Sequence, residues 1–181
     1  MMTTDLRASA STASQPVAAP QTAPEAGWLD DDQQRLWRAW VHASTLLPDT
    51  LSRELQDKHG LSLPDYEVMV HLSEQPDHRL RMSELAERTL VSRSRLTHQV
   101  DRMERAGWVE RVPCSEDRRG SWAVLTESGY AAIVTAAPTH VDGVRKHLVD
   151  LLGPAVFAQL GSASGLVAEH LASLRQCPTD F

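Results

Sequence analysis

The sequence predicts a mainly α fold with one small β-hairpin. Three observations carry this. Apolar residues recur at three- and four-residue spacing over most of the chain from Trp28 onward. Two short runs, "WVERV" and "SWAVL", have strand character, and the turn-rich "PCSEDRRG" lies between them. Serine, proline and glycine punctuation cuts the remaining pattern into separate helical segments.

Residues 1 to 27 are mostly Ala, Ser, Thr, Pro and Gln, too poor in large apolar groups to offset their own ordering, and are expected to form a disordered tail. "LDDDQQRLWRAWVHASTLL" opens a helix. Asp30, Asp31 and Asp32 suit its positive end, and Leu36, Trp37, Trp40, Val41 and Leu47 fall near helical spacing. Pro48 predicts a kink or restart, and Gly60 a stop. In "LPDYEVMVHLSEQ", Pro64 sits in a first helical turn, where its missing N–H costs nothing. "MSELAERTL" is a short helix. "VSRSRLTHQVDRMERAG" is the next, with Ser92 as N-cap, Gly107 as stop and Val91 stapling onto Leu96. Leu96, Val100 and Met103 make its buried stripe, which leaves Arg93, Ser94, Thr97, His98, Asp101 and Arg102 on the other face. The hairpin follows. Thr126 begins a long helix with an expected interruption at Pro138, and Gly153-Pro154 precedes a last apolar helix to about residue 174.

That order describes a winged helix-turn-helix flanked by N- and C-terminal dimerisation helices. The expected divisions are a tail over 1–27, a dimerisation region over 28–60, a winged helix-turn-helix DNA-binding domain over 61–126, C-terminal dimerisation helices over 127–175 and a tail over 176–181. The flanking helices come from opposite ends of the chain, and one copy offers them too few partners to bury every apolar face.

At 181 residues the chain supports one full domain. No apolar run approaches the roughly 20 residues that span a bilayer, and no secretory signal is visible. The two cysteines, Cys114 and Cys177, read as reduced thiols of a cytoplasmic protein. The net charge is −6, but residues 77 to 122 hold ten Arg against eight Asp and Glu, so positive charge gathers in the middle. A helix of about 15 residues is roughly 22 Å long and fits a major groove. Its first turns offer Ser92, Arg93, Ser94, Arg95, Thr97 and His98, with Arg102 further along. Arg93 or Arg95 can fork onto guanine, and the hydroxyls serve phosphates or bases. Arg118 and Arg119 on the hairpin suit the adjacent minor groove, and physics alone ranks them equally.

"SELAERTLVSRSRLTHQVDRMERAGWVER" followed by "EDRRGSWAVLTESG" resembles the MarR family of bacterial transcriptional regulators. The wing pattern is carried by Asp117, Arg119, Ala123, Leu125-Thr126 and Gly129, and the resemblance covers about residues 30 to 175. Ala123 stands where a β-branched residue is usual, and Leu90 where a turn glycine is common. The resemblance implies an obligate homodimer on a pseudo-palindromic operator in double-stranded DNA, with Arg119 in the minor groove and Asp117 orienting a wing arginine. It also implies release by a small aromatic or anionic effector held between the dimer helices and the winged part. Trp37, Arg38, Trp40, His42 and Tyr66 are the candidates for that crevice, although each tryptophan is more simply a core or dimer anchor.

Cys114, with Arg111 and Arg118 nearby in sequence, offers an alternative as an oxidation sensor, against the simpler reading of a loop thiol. A protein-interaction module without DNA binding is the rival from another class. The eight histidines form no tight ligand pair, and no metal-binding motif, phosphate loop or nucleophile–base arrangement is present. No enzyme, catalytic residue, metal or cofactor is expected.

Overall fold

The computed structural model describes residues 27–114 and 120–176. The wing-tip residues Asp117, Arg118 and Arg119 lie outside the described residues, as do Cys177 and the expected N-terminal tail up to residue 26. Helix α1 spans Asp31–His59, α2 Leu63–Ser73, strand β1 Arg79–Arg81, α3 Met82–Thr89 and α4 Arg93–Arg105. Strands β2 (Val109–Pro113) and β3 (Ser121–Leu125) follow, then α5 (Glu127–Val144) and α6 (Asp150–Gln176). A π-helical turn, Arg145–Val149, leads from α5 into α6. The chain falls into two compact units, a segment ending at Arg38 and a unit from Ala39 onward.

The mainly helical fold with a small antiparallel sheet is the one the sequence predicts. The sheet has three strands rather than two, in the order β1-β3-β2, both pairings antiparallel. The extra strand is only three residues long. It pairs Arg79 with Val124, Leu80 with Ala123 and Arg81 with Trp122, and it inserts Leu80 into the core at 2% exposure. Two expected helix breaks are also absent. Pro48 lies inside α1 and Pro138 inside α5, and both helices run on. A proline costs its helix one backbone bond and a steric adjustment. Near these sites Leu51, Leu55, Ile133 and Ala136 are buried, so packing holds the adjoining turns. The break expected at Gly153 is real, with φ 71° and ψ 167° inside α6.

The core lies where α2, α3 and α4 meet the sheet. Met69, Leu72, Leu85, Leu96, Val100 and Met103 are all at 0% exposure. Burying the three from α4 stabilises its docking by very roughly 4–9 kcal/mol before entropy is counted.

The hairpin is tied to α5 by Thr126 and by Ser128, whose Oγ donates to the Gly107 carbonyl at 2.6 Å. Thr126 Oγ1 shares its one proton between the carbonyls of Gly107 (2.7 Å) and Trp108 (3.0 Å) and accepts from the Gly129 N–H (3.0 Å), capping α5. Gly129 packs directly on the Trp108 carbonyl and Leu125, leaving no room for a Cβ. These contacts give the Leu125-Thr126 and Gly129 signature its physical meaning.

One sequence expectation needs correction. The stretch Glu127–Leu174 contains an 18-residue window of mean hydropathy 1.4, enough by length and composition to cross a bilayer, and none of that window is buried. Taken singly, such a helix is weak evidence for a membrane.

Candidate nucleic-acid interface

Ser92 sets the start of α4. It has extended backbone (φ −64°, ψ 149°), and its Oγ accepts the Arg95 N–H at 3.4 Å, the cap expected from the sequence. The preceding turn closes on Leu90, which adopts the left-handed conformation at φ 56° and ends α3. This is the position where the sequence departs from a common glycine, and the conformation is one that glycine adopts freely and leucine does not. Beyond the cap the two faces of α4 separate as expected. Leu96, Val100 and Met103 point inward, while Arg93, Ser94, Arg95, Thr97 and His98 are exposed.

Three connections brace that helix, and none is evident from the sequence. The first is through Asp65, a carboxylate only 4% exposed in the first turn of α2. Its Oδ1 accepts from Arg102 Nη2 at 2.7 Å and from Gln99 Nε2 at 3.1 Å, and its Oδ2 accepts from the Ser62 hydroxyl at 2.7 Å. Arg102, expected among the DNA-facing residues, is thus turned toward α2, although its side chain keeps 56% exposure. The second brace is Arg111 on β2. Its Nη2 donates to the Thr97 carbonyl at 2.7 Å, and its Nη1 lies 2.6 Å from Asp101 Oδ1 and 3.5 Å from Glu104 Oε2. The third is backbone: Arg111 N–H donates to Glu104 Oε1 at 2.8 Å. Together they fix α4 against both α2 and the base of the wing.

Cys114 is buried at 6% exposure, and its N–H donates to the Gly120 carbonyl at 3.0 Å across the base of the hairpin loop. Arg111, close in sequence, spends its guanidinium on α4. At 6% exposure the thiol lacks the accessibility that suits an oxidant sensor, and Arg118, the other cation expected near it, lies outside the described residues.

Within the unit from Ala39 onward, the proposed effector residues Trp40, His42 and Tyr66 do not line one groove among the described residues. Trp37 and Arg38 are exposed on the early turns of α1. Trp40 lines a groove of about 680 Å³ with Leu47, Leu148, Leu151, Val156 and Leu160, but His42 and Tyr66 do not line it. His42 is exposed on α1, whereas Tyr66 is 8% exposed and packs its ring 4.9 Å from that of His140. Burial holds the His140 pKa below its ordinary 6.5 against the pull of Glu67, and burial raises that of Tyr66. His140 Nδ1 has no hydrogen-bond partner among the described residues. Nearby, His59 Nε2 at the end of α1 meets Thr139 Oγ1 of α5 at 2.8 Å, and His147 Nε2 in the π-helical turn meets Glu54 Oε1 of α1 at 2.9 Å, which lowers the Glu54 pKa.

Helices α2, α3 and α4, the last capped and polar on its outer face, together with a three-stranded antiparallel sheet define a winged helix-turn-helix protein. Comparison with known proteins agrees. A MarR family model matches residues 59–120. AbsC, a MarR family transcriptional regulator from Streptomyces coelicolor, is 46% identical with a TM-score of 0.75, over 81% of this chain and 99% of that one. Sco3205, a MarR family regulator from the same organism solved in complex with DNA, is 43% identical with a TM-score of 0.77, over 85% of this chain and 97% of that one. The regulator PecS of Dickeya dadantii is 29% identical over 137 residues, 72% of this chain and 79% of PecS. The chain belongs to the MarR family of transcriptional regulators.

Proposed function

We propose that the chain is a homodimeric DNA-binding regulator, acting as a repressor on a pseudo-palindromic operator and released by a small aromatic or anionic ligand. One observation carries the reading: α4 is rigidly braced from behind while its outward face is polar, basic and unshielded. A helix so mounted presents Arg93, Ser94, Arg95, Thr97 and His98 to a major groove with its backbone already ordered. Ser92 and the helix start supply phosphate contacts. Arg119, Arg118 and the orienting Asp117 of the wing tip complete the interface as expected from sequence. Arg102 takes the role of a brace, with only its outer edge available to DNA. The Streptomyces coelicolor relative solved with DNA supports the same reading.

The dimer rests on residues 28–60 and 127–175. Leu151, Leu166, Val167, Leu171 and Leu174 are all more than half exposed on α6, and the apolar groove containing Trp40 runs beside them. A patch of this kind marks a surface meant to be covered, and a second copy supplies matching α1 and α6 faces. The apolar 18-residue window of this region has the same explanation. Two recognition helices must then sit about 34 Å apart to enter successive major grooves. A ligand releases DNA only by favouring a different spacing through its differential affinity.

The test is a titration of a labelled duplex from the chain's own upstream region, alongside sedimentation of the free protein. Binding as a dimer, with Arg93→Ala losing more affinity on the operator than on random DNA, is the expected outcome. A monomer at micromolar concentration, or no duplex binding at low ionic strength, refutes the proposal.

A further inference from the structure

Helix α5 and the turn after it meet α1 and α2 through three histidines. His59 at the end of α1 meets the Thr139 hydroxyl of α5, and His147 in the π-helical turn meets the Glu54 carboxylate of α1. Both contacts give an imidazole an oxygen partner. His140 of α5 is different. It lays its ring 4.9 Å from that of Tyr66 on α2, tilted by 39°, and its buried Nδ1 has no hydrogen-bond partner among the described residues. The ionisable groups of α2 that face it are Tyr66 and, as a charge acting on it, Glu67. Along the same seam α1 contributes His59, already bonded to Thr139, and Glu54, already bonded to His147, with Lys58 and Lys146 close enough to act on Glu54.

Protonation places a hydrogen on both nitrogens of an imidazole. At His140 the Nδ1 hydrogen would be buried without an acceptor, and the ring would carry a charge that burial opposes and Glu67 only partly offsets. Both costs fall on the contact between α5 and α2. That contact leads to the recognition helix. Tyr66 follows Asp65 in the chain, and Asp65 holds Gln99 and Arg102 of α4 at 3.1 and 2.7 Å. Tyr66 and Asp65 are both buried in the first turns of α2, so neither can shift without moving that segment.

We infer that His140 is a proton-operated latch: neutral, it lets α5 close on α2 and so keeps the brace on α4; protonated, it loosens that part of α2 and lowers the affinity for DNA. This rests on the DNA-binding reading above and adds a regulatory input to it. His140 is a positioning residue that acts through Tyr66 and Asp65. Linkage sets the sign. The His140 pKa is held low in the braced form and returns to the ordinary 6.5 once the seam opens. The latch is therefore fully closed above 6.5, and its contribution declines as pH falls from there toward the pKa of the braced form.

The experiment titrates the full chain against the labelled duplex from its own upstream region, at fixed ionic strength, between about pH 8 and about pH 5.5. The exposed His98 on α4 and other surface groups gain charge in acid in every variant alike. The readout is thus the ratio of wild-type to His140→Phe affinity, since phenylalanine keeps a ring against Tyr66 and takes up no proton. That ratio is expected to be flat above 6.5 and to fall about threefold or more by about pH 5.5, under a ceiling of about tenfold per pH unit for each protomer. His59→Gln and His147→Gln should keep the fall, and Arg102→Ala should shrink it. His140→Asn, which does not titrate either, replaces His140→Phe if that variant fails to fold. Circular dichroism and sedimentation at each pH are expected to show an unchanged folded dimer. Parallel profiles in wild type and variant, an undiminished fall in Arg102→Ala, or unfolding or dissociation in the same window each overturn the latch while leaving the DNA-binding reading intact. Absence of duplex binding by the wild type at every pH overturns both.

Discussion

Removing the Asp65 carboxylate tests how the recognition helix is held. In Asp65→Ala three side-chain hydrogen bonds disappear, from Ser62, Gln99 and Arg102. Bonds to a charged group contribute about 1.5–3 kcal/mol each when buried. Here the Arg102 side chain is 56% exposed and can return to water. Its share is therefore discounted to about 0.5–1 kcal/mol, near the value of a good surface pair. Ser62 and Gln99 each lose a partner at a half-buried site, adding about 1 kcal/mol apiece. The total is about 2–3 kcal/mol, and for a chain of this size that is a fall in Tm of about 4–12 °C. Urea unfolding followed by tryptophan fluorescence, at fixed protein concentration, measures it. The sharper measurement is the cycle with Arg102→Ala. The bracing role requires a coupling of about 0.5–1 kcal/mol between the two residues. A coupling indistinguishable from zero refutes the argument and returns Arg102 to the DNA-facing set.

Three other outcomes are expected. Leu90→Gly relieves a left-handed φ of 56° at a residue 68% exposed, and should raise stability by about 0.5–1 kcal/mol in the same urea assay. Gly129→Ala drives a Cβ into the Trp108 carbonyl, which is backbone and cannot step aside, so a loss of about 2 kcal/mol or more is expected, read as a lower Tm. The folded-state pKa of His140 is depressed, so the unfolded chain binds the extra proton. Stability from this group is complete above the ordinary 6.5 and declines as pH falls from there toward the folded value. Melting temperatures of the wild type should therefore drop through that window, and those of His140→Phe should drop less.

Much of the candidate site is legible in the chain. The polar face of α4 follows from one cap and one stripe. Ser92 ends the turn, and Leu96, Val100 and Met103 face inward, so Arg93, Ser94, Thr97 and His98 must face out. These are local rules of helix geometry, and local sequence carries them. The Thr126 cap and the kink at Gly153 are of the same kind. Leu90 shows a finer case. Its departure from glycine is visible in the sequence, but the strain it implies appears only with the φ angle.

What tertiary structure alone decided is everything set by residues far apart in the chain. β1 is a strand because Leu80 pairs with Ala123 and fills the core; three residues carry no periodicity of their own. Pro48 and Pro138 sit inside continuous helices because packing on neighbouring turns outweighs one lost bond each. Arg102 and Arg111 look alike in the sequence as surface cations, yet one is held by Asp65 and the other by Thr97, Asp101 and Glu104. An arginine side chain is long enough to serve a phosphate or a carboxylate, and which it meets depends on where the fold brings the acid. Sequence thus sets which residues face outward, and the fold sets which of those remain available.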